Sequence, residues 1–466
     1  MPNRTMPAHG ALPNPPWRAV PVPRTWSVTA VEIVIALVAN GVLILAMWVR
    51  HGGPDLASSF GGILTGIGQV TALLGTYLAL IQLVLMSRSP WLDQVFGMDR
   101  LAAAHRWIGF ATVWLLLGHG IFTTIGYGIG SRSNPVAEFL TLIATFPYVL
   151  MATVSAALFA AVAISSIRKA RRKLSYESWY GIHLYAYLAI ALGFLHQVFV
   201  GTDFIHDPVA VAYWIGLYVV TVGLVLVFRV GQPIWLSVRH QLRVASVVAE
   251  TPGVFSIYVT GRDLHQLAVR SGQYFVWRFL TRSGWWRAHP FSISSAPNGA
   301  WLRITIKELG DWSSALQGVA VGTRVFIEGP YGVLTGARRT RRRVLLVAGG
   351  IGITPLRSLL EALPGKPGDL TLLYRVSNER DIVFRDELDT LARVRGAEVH
   401  YLPSHRRPGQ RTIDPLGPAG LQALVPDVRD RDVYICGPAP MMQHVEASLR
   451  GLGLSSSQIH AERFAY

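Results

Sequence analysis

Cysteine is nearly absent: of 466 residues, only Cys436 is one. That excludes a disulfide framework and any multi-cysteine zinc or iron–sulfur site. Charge is scarce as well. Asp, Glu, Lys and Arg make up 15% of the chain, where soluble proteins average about a quarter. Beside 51% hydrophobic residues, this argues against a wholly soluble chain and against a disordered one. Acidic residues are the rarer sign, 27 against 43 basic, for a formal net charge of +16. The cations gather beside hydrophobic runs and in one candidate nucleotide site. A membrane therefore explains them better, and nucleic acid is not expected as a partner.

What is present in the first half is apolar. Six runs stand out: Val28–Trp48, Gly61–Met86, Ala102–Ile125, Leu140–Ser165, Tyr180–Val200 and Val209–Phe228. Each reaches the length of about 20 residues that a bilayer-crossing helix needs. Arg4, Arg18 and Arg24 precede the first run. Arg88, Arg100 and Arg106 follow the second, and Arg168, Lys169, Arg171, Arg172 and Lys173 follow the fourth. The odd loops hold only Arg50 and Arg132. The positive-inside rule then places both termini in the cytoplasm of a multi-pass protein of the cell membrane.

These patterns predict a multi-domain membrane protein. Residues 1–25 read as a disordered cytoplasmic tail and 26–229 as a six-helix transmembrane bundle. Short β-branched and aromatic stretches over 230–336 predict an all-β barrel, and the strand–helix alternation of 341–466 predicts an α/β parallel sheet.

Four histidines lie inside the runs: His105 and His119 in the third, His183 and His196 in the fifth. An ionisable side chain within a span is a functional hypothesis by default. A lone one is more often a helix–helix hydrogen bond; two pairs are a different case. The 14- and 13-residue separations amount to about 21 and 19.5 Å of helix, so the pairs define two levels in a core about 30 Å thick. Side-by-side spans would set His105 against His183 and His119 against His196. Facing neutral imidazoles are what a bis-histidine haem needs. Thirteen residues miss helical alignment by about 140°, which predicts a distortion near Gly193 or differently rotated haem planes. Arg106, beside the inner histidine, is a candidate for a haem propionate or an interfacial anchor.

Two motif regions mark the second half. In His289-Pro290-Phe291-Ser292-Ile293-Ser294-Ser295, an aromatic beside a hydroxyl at a strand end can stack on an isoalloxazine while Ser292 bonds its N5 edge. His289 or Lys307 could hold the pyrophosphate. Gly349-Gly350-Ile351-Gly352-Ile353-Thr354-Pro355 follows a predicted strand and opens a helix, where backbone N–H groups meet a pyrophosphate. The next strand ends in Arg375; an arginine there accommodates a 2′-phosphate and favours NADPH over NADH. Ser377, Arg380 and Arg406 are secondary candidates. Cys436-Gly437-Pro438 ends the last strand before a helix, where ligands gather in parallel sheets, although a buried structural cysteine reads equally well there.

Taken in order, these motifs resemble the ferric reductase and NADPH oxidase superfamily of membrane flavocytochromes over about residues 60–466. The 14- and 13-residue histidine spacings, His289–Ser295, Lys307 before Gly310-Asp311-Trp312, the glycine motif, Cys436-Gly437-Pro438 and the Glu462-x-Phe464 ending carry it. The resemblance implies two b-type haems on the four histidines, FAD on a ferredoxin-reductase-type barrel, NADPH on the α/β domain, and Phe464 covering the flavin. Ser292, Cys436 and Phe464 would then stand closest to the hydride chemistry. The implied activity is electron transfer from NADPH to an extracytoplasmic acceptor, a ferric chelate or dioxygen. Where animal superoxide-producing oxidases carry a second histidine one turn after the outer third-span ligand, this chain has Thr123. Arg50 and His51 are candidates for a polar acceptor site. Two rivals stay open: a haem-binding membrane subunit relaying electrons from a partner protein or quinone, and a non-redox scaffold.

Overall fold

A computed structural model describes residues 29–201, 207–282, 284–404 and 414–462, the side chains of Arg168, Tyr176 and Glu177 excepted. Its described residues form two units, one of 29–96 and 100–229, the other of 97–99 and 230 onward.

Six helices of the first part are long and apolar enough to cross a membrane: Ala30–Arg50, Phe60–Leu85, Met98–Ser131, Val149–Ser166, Ser178–Val200 and Pro208–His240. They are called spans one to six below. Short polar side chains start several of them. Thr29 and Glu32 form a capping box, and Ser59, Ser175 and Asp207 accept hydrogen bonds from the first-turn amides of spans two, five and six. The fourth run differs from the sequence expectation. It breaks into Pro135–Thr145 and Val149–Ser166. Pro147 lacks an N–H and bars its predecessor from the helical region. Phe146 is extended, and Tyr148 takes a φ of 62°.

The second unit opens with helix Gln232–His240, followed by a barrel of two three-stranded sheets. Its strands are β1 (Arg243–Thr251), β2 (Val254–Thr260), β3 (Tyr274–Phe279), β4 (His289–Ser292), β5 (Trp301–Lys307) and β6 (Val325–Tyr331). The sheet orders are β1-β2-β5 and β4-β3-β6. Alternate residues such as Phe255, Ile257, Phe275, Trp277, Ile304 and Ile327 turn inward to a common core.

A parallel sheet completes the chain, from β7 (Arg343–Gly349), β8 (Leu370–Val376), β9 (Glu398–Pro403), β10 (Arg431–Cys436) and β11 (Ile459–Ala461), in the order β11-β10-β7-β8-β9. Strand β9, strand β11 and helix Pro418–Leu424 were not legible in the hydrophobic pattern. β9 carries Glu398 and His400, and β11 is three residues long. The order reverses between β7 and β10, so the crevice at their carboxyl ends is the topological switch point where such sheets bind ligands.

Buried ions join barrel and sheet. Arg303 on β5, 2% exposed, grips Glu387 of helix Arg385–Arg395 with contacts of 2.7 and 3.0 Å. Arg357, 1% exposed, donates to the same carboxylate at 2.9 Å. Glu361 in turn accepts the Ala296 amide at 2.7 Å. Burial raises the Glu387 pKa, but Arg357 and Arg303 outweigh it, and the carboxyl is held below its usual range. Glu387→Ala leaves the Arg303 guanidinium buried without its counter-ion and Arg357 with Glu361 alone, a loss of about 3–5 kcal/mol, read as a lower midpoint of thermal unfolding. Because the folded pKa is depressed, the contribution of Glu387 is present above the usual carboxylate range. It is lost as pH falls through the lowered value, so the mutant's deficit should shrink in acid.

Candidate functional site

The membrane part brings its four histidines together in two pairs. The rings of His105 and His183 lie 5.9 Å apart between centroids, and those of His119 and His196 lie 6.2 Å apart, with interplanar angles of 59° and 50°. Two imidazoles bound to opposite faces of one metal ion have centroids about 6 Å apart: twice a bond of about 2 Å plus the two ring radii of about 1 Å. The observed spacings fit that arrangement. Among the described residues no group of three or more His, Cys, Asp or Glu gathers as a metal site. Each level therefore offers a facing pair of imidazoles that could hold one metal-bearing group between them.

The hydrogen bonds of the outer histidine support the same reading. His119 Nδ1 lies 3.0 Å from the Gly68 carbonyl oxygen on span two and 3.2 Å from Thr123 Oγ1. A carbonyl can only accept, so Nδ1 carries the proton and Nε2 keeps its lone pair for a metal. This contact needs glycine at 68, because a methyl group there would come within 2.3 Å of Thr123 Oγ1. The frequent glycines of this run, Gly68 among them, suit close helix packing, but which side chain Gly68 meets needed the fold. Thr123, the departure from the oxidase pattern, is thus a neighbour of the outer histidine. His183 and His196 keep buried Nδ1 atoms without a hydrogen-bond partner.

The distortion expected near Gly193 does not interrupt the helix. The helix of span five is continuous from Tyr176 to Val200. Ser155 Oγ donates to the Ala189 carbonyl at 2.7 Å, the carbonyl that a regular helix would offer to the Gly193 amide. At the other level Trp179 packs 5.0 Å from His183, and Arg171 lies over Trp179 at 4.8 Å. Arg106 is exposed beside exposed Trp107, the setting of an interfacial anchor.

In the barrel, His289-Pro290-Phe291-Ser292 is strand β4, paired antiparallel to β3 so that Ser292 faces Tyr274 in register. Ser292 Oγ is buried without a partner, an orphan hydroxyl of the kind a ligand edge satisfies. Trp312 stacks on His289 at 3.8 Å and lies parallel to Phe291 at 6.2 Å. The bridge Ile293↔Ile304 carries β5 back along β4, so Lys307 reaches the level of Pro290. Trp312 had been read only as part of a motif; its stacking position needed the fold.

The glycine motif sits where β7 ends. Gly350 has a φ of 53°, a conformation that glycine adopts without strain. Gly349 pairs with Arg375 across β7 and β8. Helix Ile353–Ala362 follows and contains Thr354 and Pro355. Gly352 packs so tightly on the second motif that a methyl group would lie 2.3 Å from the Cys436 carbonyl oxygen. The glycine turn and Cys436-Gly437-Pro438 therefore form one surface at the switch point. Arg375 directs its guanidinium towards the carbonyl of Leu402 at 3.4 Å, beside the end of β9. Ser377 and Arg380 are exposed.

Cys436 is fully buried, and burial, helped by Glu462, pushes its thiol pKa up. It stays a neutral thiol. Glu462 also abuts Gly332 after β6, where Tyr274 packs. The carboxyl end of the described chain thus reaches strands β3 and β6 of the barrel. Phe464 and Arg406 lie outside the described residues.

Comparison with known proteins agrees with this anatomy. A family model described as ferric reductase like transmembrane component matches residues 71–194. An FAD-binding domain matches 241–335, and an oxidoreductase NAD-binding domain matches 346–447. The chain is 28% identical over 246 residues to the glycine betaine monooxygenase reductase subunit of Chromohalobacter salexigens, covering 49% of this chain and 65% of that protein. It is 31% identical over 242 residues to the ferredoxin reductase component of 3-ketosteroid-9-alpha-monooxygenase from Mycobacterium tuberculosis, covering 48% and 65%. The chain thus spans less than two thirds of the length of either relative. Among solved structures, the FAD/NAD-binding domain of nitric oxide dioxygenase from Vibrio cholerae aligns at 24% identity and a TM-score of 0.40, over 48% of this chain and 99% of that one. One polypeptide thus combines a ferric-reductase-like membrane component, an FAD-binding domain and an oxidoreductase NAD-binding domain, the architecture of ferric reductases and NADPH oxidases with ferredoxin-reductase-type nucleotide domains.

Proposed function

We propose that the chain moves electrons from cytoplasmic NADPH, by way of FAD and two b-type haems, to an acceptor outside the cell membrane, ferric iron or dioxygen, with both termini in the cytoplasm. The observation that carries this reading is the facing of His105 with His183 and of His119 with His196, at separations that suit one ion between each pair. Residues 26–229 would form the haem domain, 230–336 the FAD domain and 341–466 the NADPH domain.

When bound, the flavin takes a hydride and divides its electron pair, and haem iron carries electrons singly. The residues hold, orient and shield. His105 and His183 hold the inner haem, and His119 and His196 the outer one, with the Gly68 carbonyl fixing the His119 tautomer. Phe291 would face the isoalloxazine, Ser292, whose buried hydroxyl lacks a partner, would donate to its N5 edge, and His289, Pro290 and Lys307 would line its pyrophosphate. Gly349, Gly350, Gly352, Thr354 and Pro355 present the helix N-terminus to the dinucleotide phosphates. Arg375 holds the 2′-phosphate. Cys436, Gly437 and Pro438 would border the nicotinamide.

On the acceptor side, His51 Nε2 meets the Asp207 carboxylate at 3.0 Å. That hydrogen bond holds the Asp207 carboxyl below its usual range, and Arg50 adds to the effect. The cluster supplies a polar, partly cationic mouth at the ends of spans one and six.

Replacing His119 with Ala should remove one haem from the purified protein and stop outward transfer while NADPH still reduces the flavin. Undiminished reduction of an external ferric chelate would end this reading. Arg375→Ala should raise the KM for NADPH about 10- to 100-fold, the worth of a charged hydrogen bond, and leave NADH kinetics unchanged. Equal effects on both nucleotides would place the 2′-phosphate elsewhere.

A further inference from the structure

Two apolar patches stay exposed on the second unit, and they share one rim of the barrel. The first is on helix Gln232–His240. Pro233, Leu236 and His240 are buried, whereas Ile234, Trp235 and Val238 are 49%, 55% and 68% exposed. Arg239 lies over the Trp235 ring at 5.2 Å. The second patch is the connection from β3 to β4. There Trp285 and Trp286 are 59% and 52% exposed and meet edge to face at 5.9 Å. Arg287 follows them directly.

Backbone hydrogen bonds tie the roots of both patches together. The Leu280 amide donates to the Arg324 carbonyl at 2.9 Å, and the next residue, Val325, donates to the Leu242 carbonyl at 2.9 Å. The Arg262 amide donates to the His240 carbonyl at 2.6 Å. The end of the helix and the start of the tryptophan connection are therefore neighbours at the first residues of β6. Three outward tryptophans on one rim are more apolar surface than a protein face in water ordinarily carries.

Chain continuity identifies the occupant. Span six runs on into this helix through the turn Leu226–Gly231 without a linker, so that one helical stretch extends from Pro208 to His240. A hydrocarbon core takes up about 20 residues, so it ends near Val227. At 1.5 Å per residue, Trp235 is then no more than about 12 Å of chain beyond that edge. Headgroup layers are where tryptophan concentrates, and arginine beside it pairs with lipid phosphate. Helix Gln232–His240 also has the plan of an interfacial helix, one face apolar and outward.

We propose that Trp235, Trp285 and Trp286 form a lipid foot: they rest in the headgroup layer of the bilayer face from which span six emerges, with Arg239 and Arg287 on anionic phosphates. The foot depends on the spans alone and on none of the cofactor assignments.

The sequence provides the means of testing it. Cys436 is buried, so Trp286→Cys and, separately, Trp235→Cys each create one accessible thiol for an environment-sensitive nitrobenzoxadiazole dye. Val394→Cys, at a position 75% exposed on the far helix Arg385–Arg395, serves as control. The full-length protein is placed in nanodiscs of phosphatidylcholine and phosphatidylglycerol, with and without lipid spin-labelled near the headgroup. The foot predicts blue-shifted emission at 286 and 235, quenched about twofold or more by the spin-labelled lipid as befits a depth of about 5–10 Å, with none at 394. Water-like emission quenched freely by aqueous iodide would overturn the proposal. So would blue-shifted emission that lipid-borne label leaves untouched, which would mean that protein covers the patch.

Discussion

An imidazole nitrogen buried in a membrane-spanning bundle must be given a partner or be left at a cost of one to a few kcal/mol. Spans three and five are organised around that constraint. Each of the four histidines faces a counterpart on the opposite helix across a gap of about one metal coordination diameter. The surrounding contacts serve the same end. Gly68 lets span two approach closely enough for its carbonyl to set the His119 tautomer, and Ser155 binds the backbone of span five at the turn before Gly193.

The second unit meets a different constraint. Its two nucleotide-binding lobes must be held so that a strand of one faces the switch point of the other. The Arg303–Glu387–Arg357 cluster does this with buried charge, which is directional where apolar packing is not. The close fit of Gly352 on the Cys436 carbonyl does it within the sheet. Glu462 extends the same convergence by bringing the last strand to Gly332, next to Tyr274 and hence one register position from Ser292.

Much of this was readable along the chain because the signals are periodic or local. Apolar runs of bilayer length, a glycine turn between a strand and a helix, and histidines spaced at two membrane levels all declare themselves within a short window. Where the reading failed, the cause was local chemistry overriding the pattern, as at Pro147, or elements too short or too polar to stand out, as with β11 and β9. The 140° phase problem in span five was real on paper, yet the helix meets it without a break. Helical phase describes Cα directions, while an imidazole reaches its partner through two further rotatable bonds.

What the sequence determined by itself was the order of parts: six apolar spans, a barrel, a parallel sheet, and the residue types available to each. Those follow from composition and period, which each segment carries alone. Only the tertiary structure decided which groups meet. Gly68 against His119, Trp312 against Phe291, Arg303 against Glu387 and Glu462 against Gly332 join residues from about 20 to 130 positions apart. No short-range pattern encodes such contacts, because they depend on how separately formed elements pack.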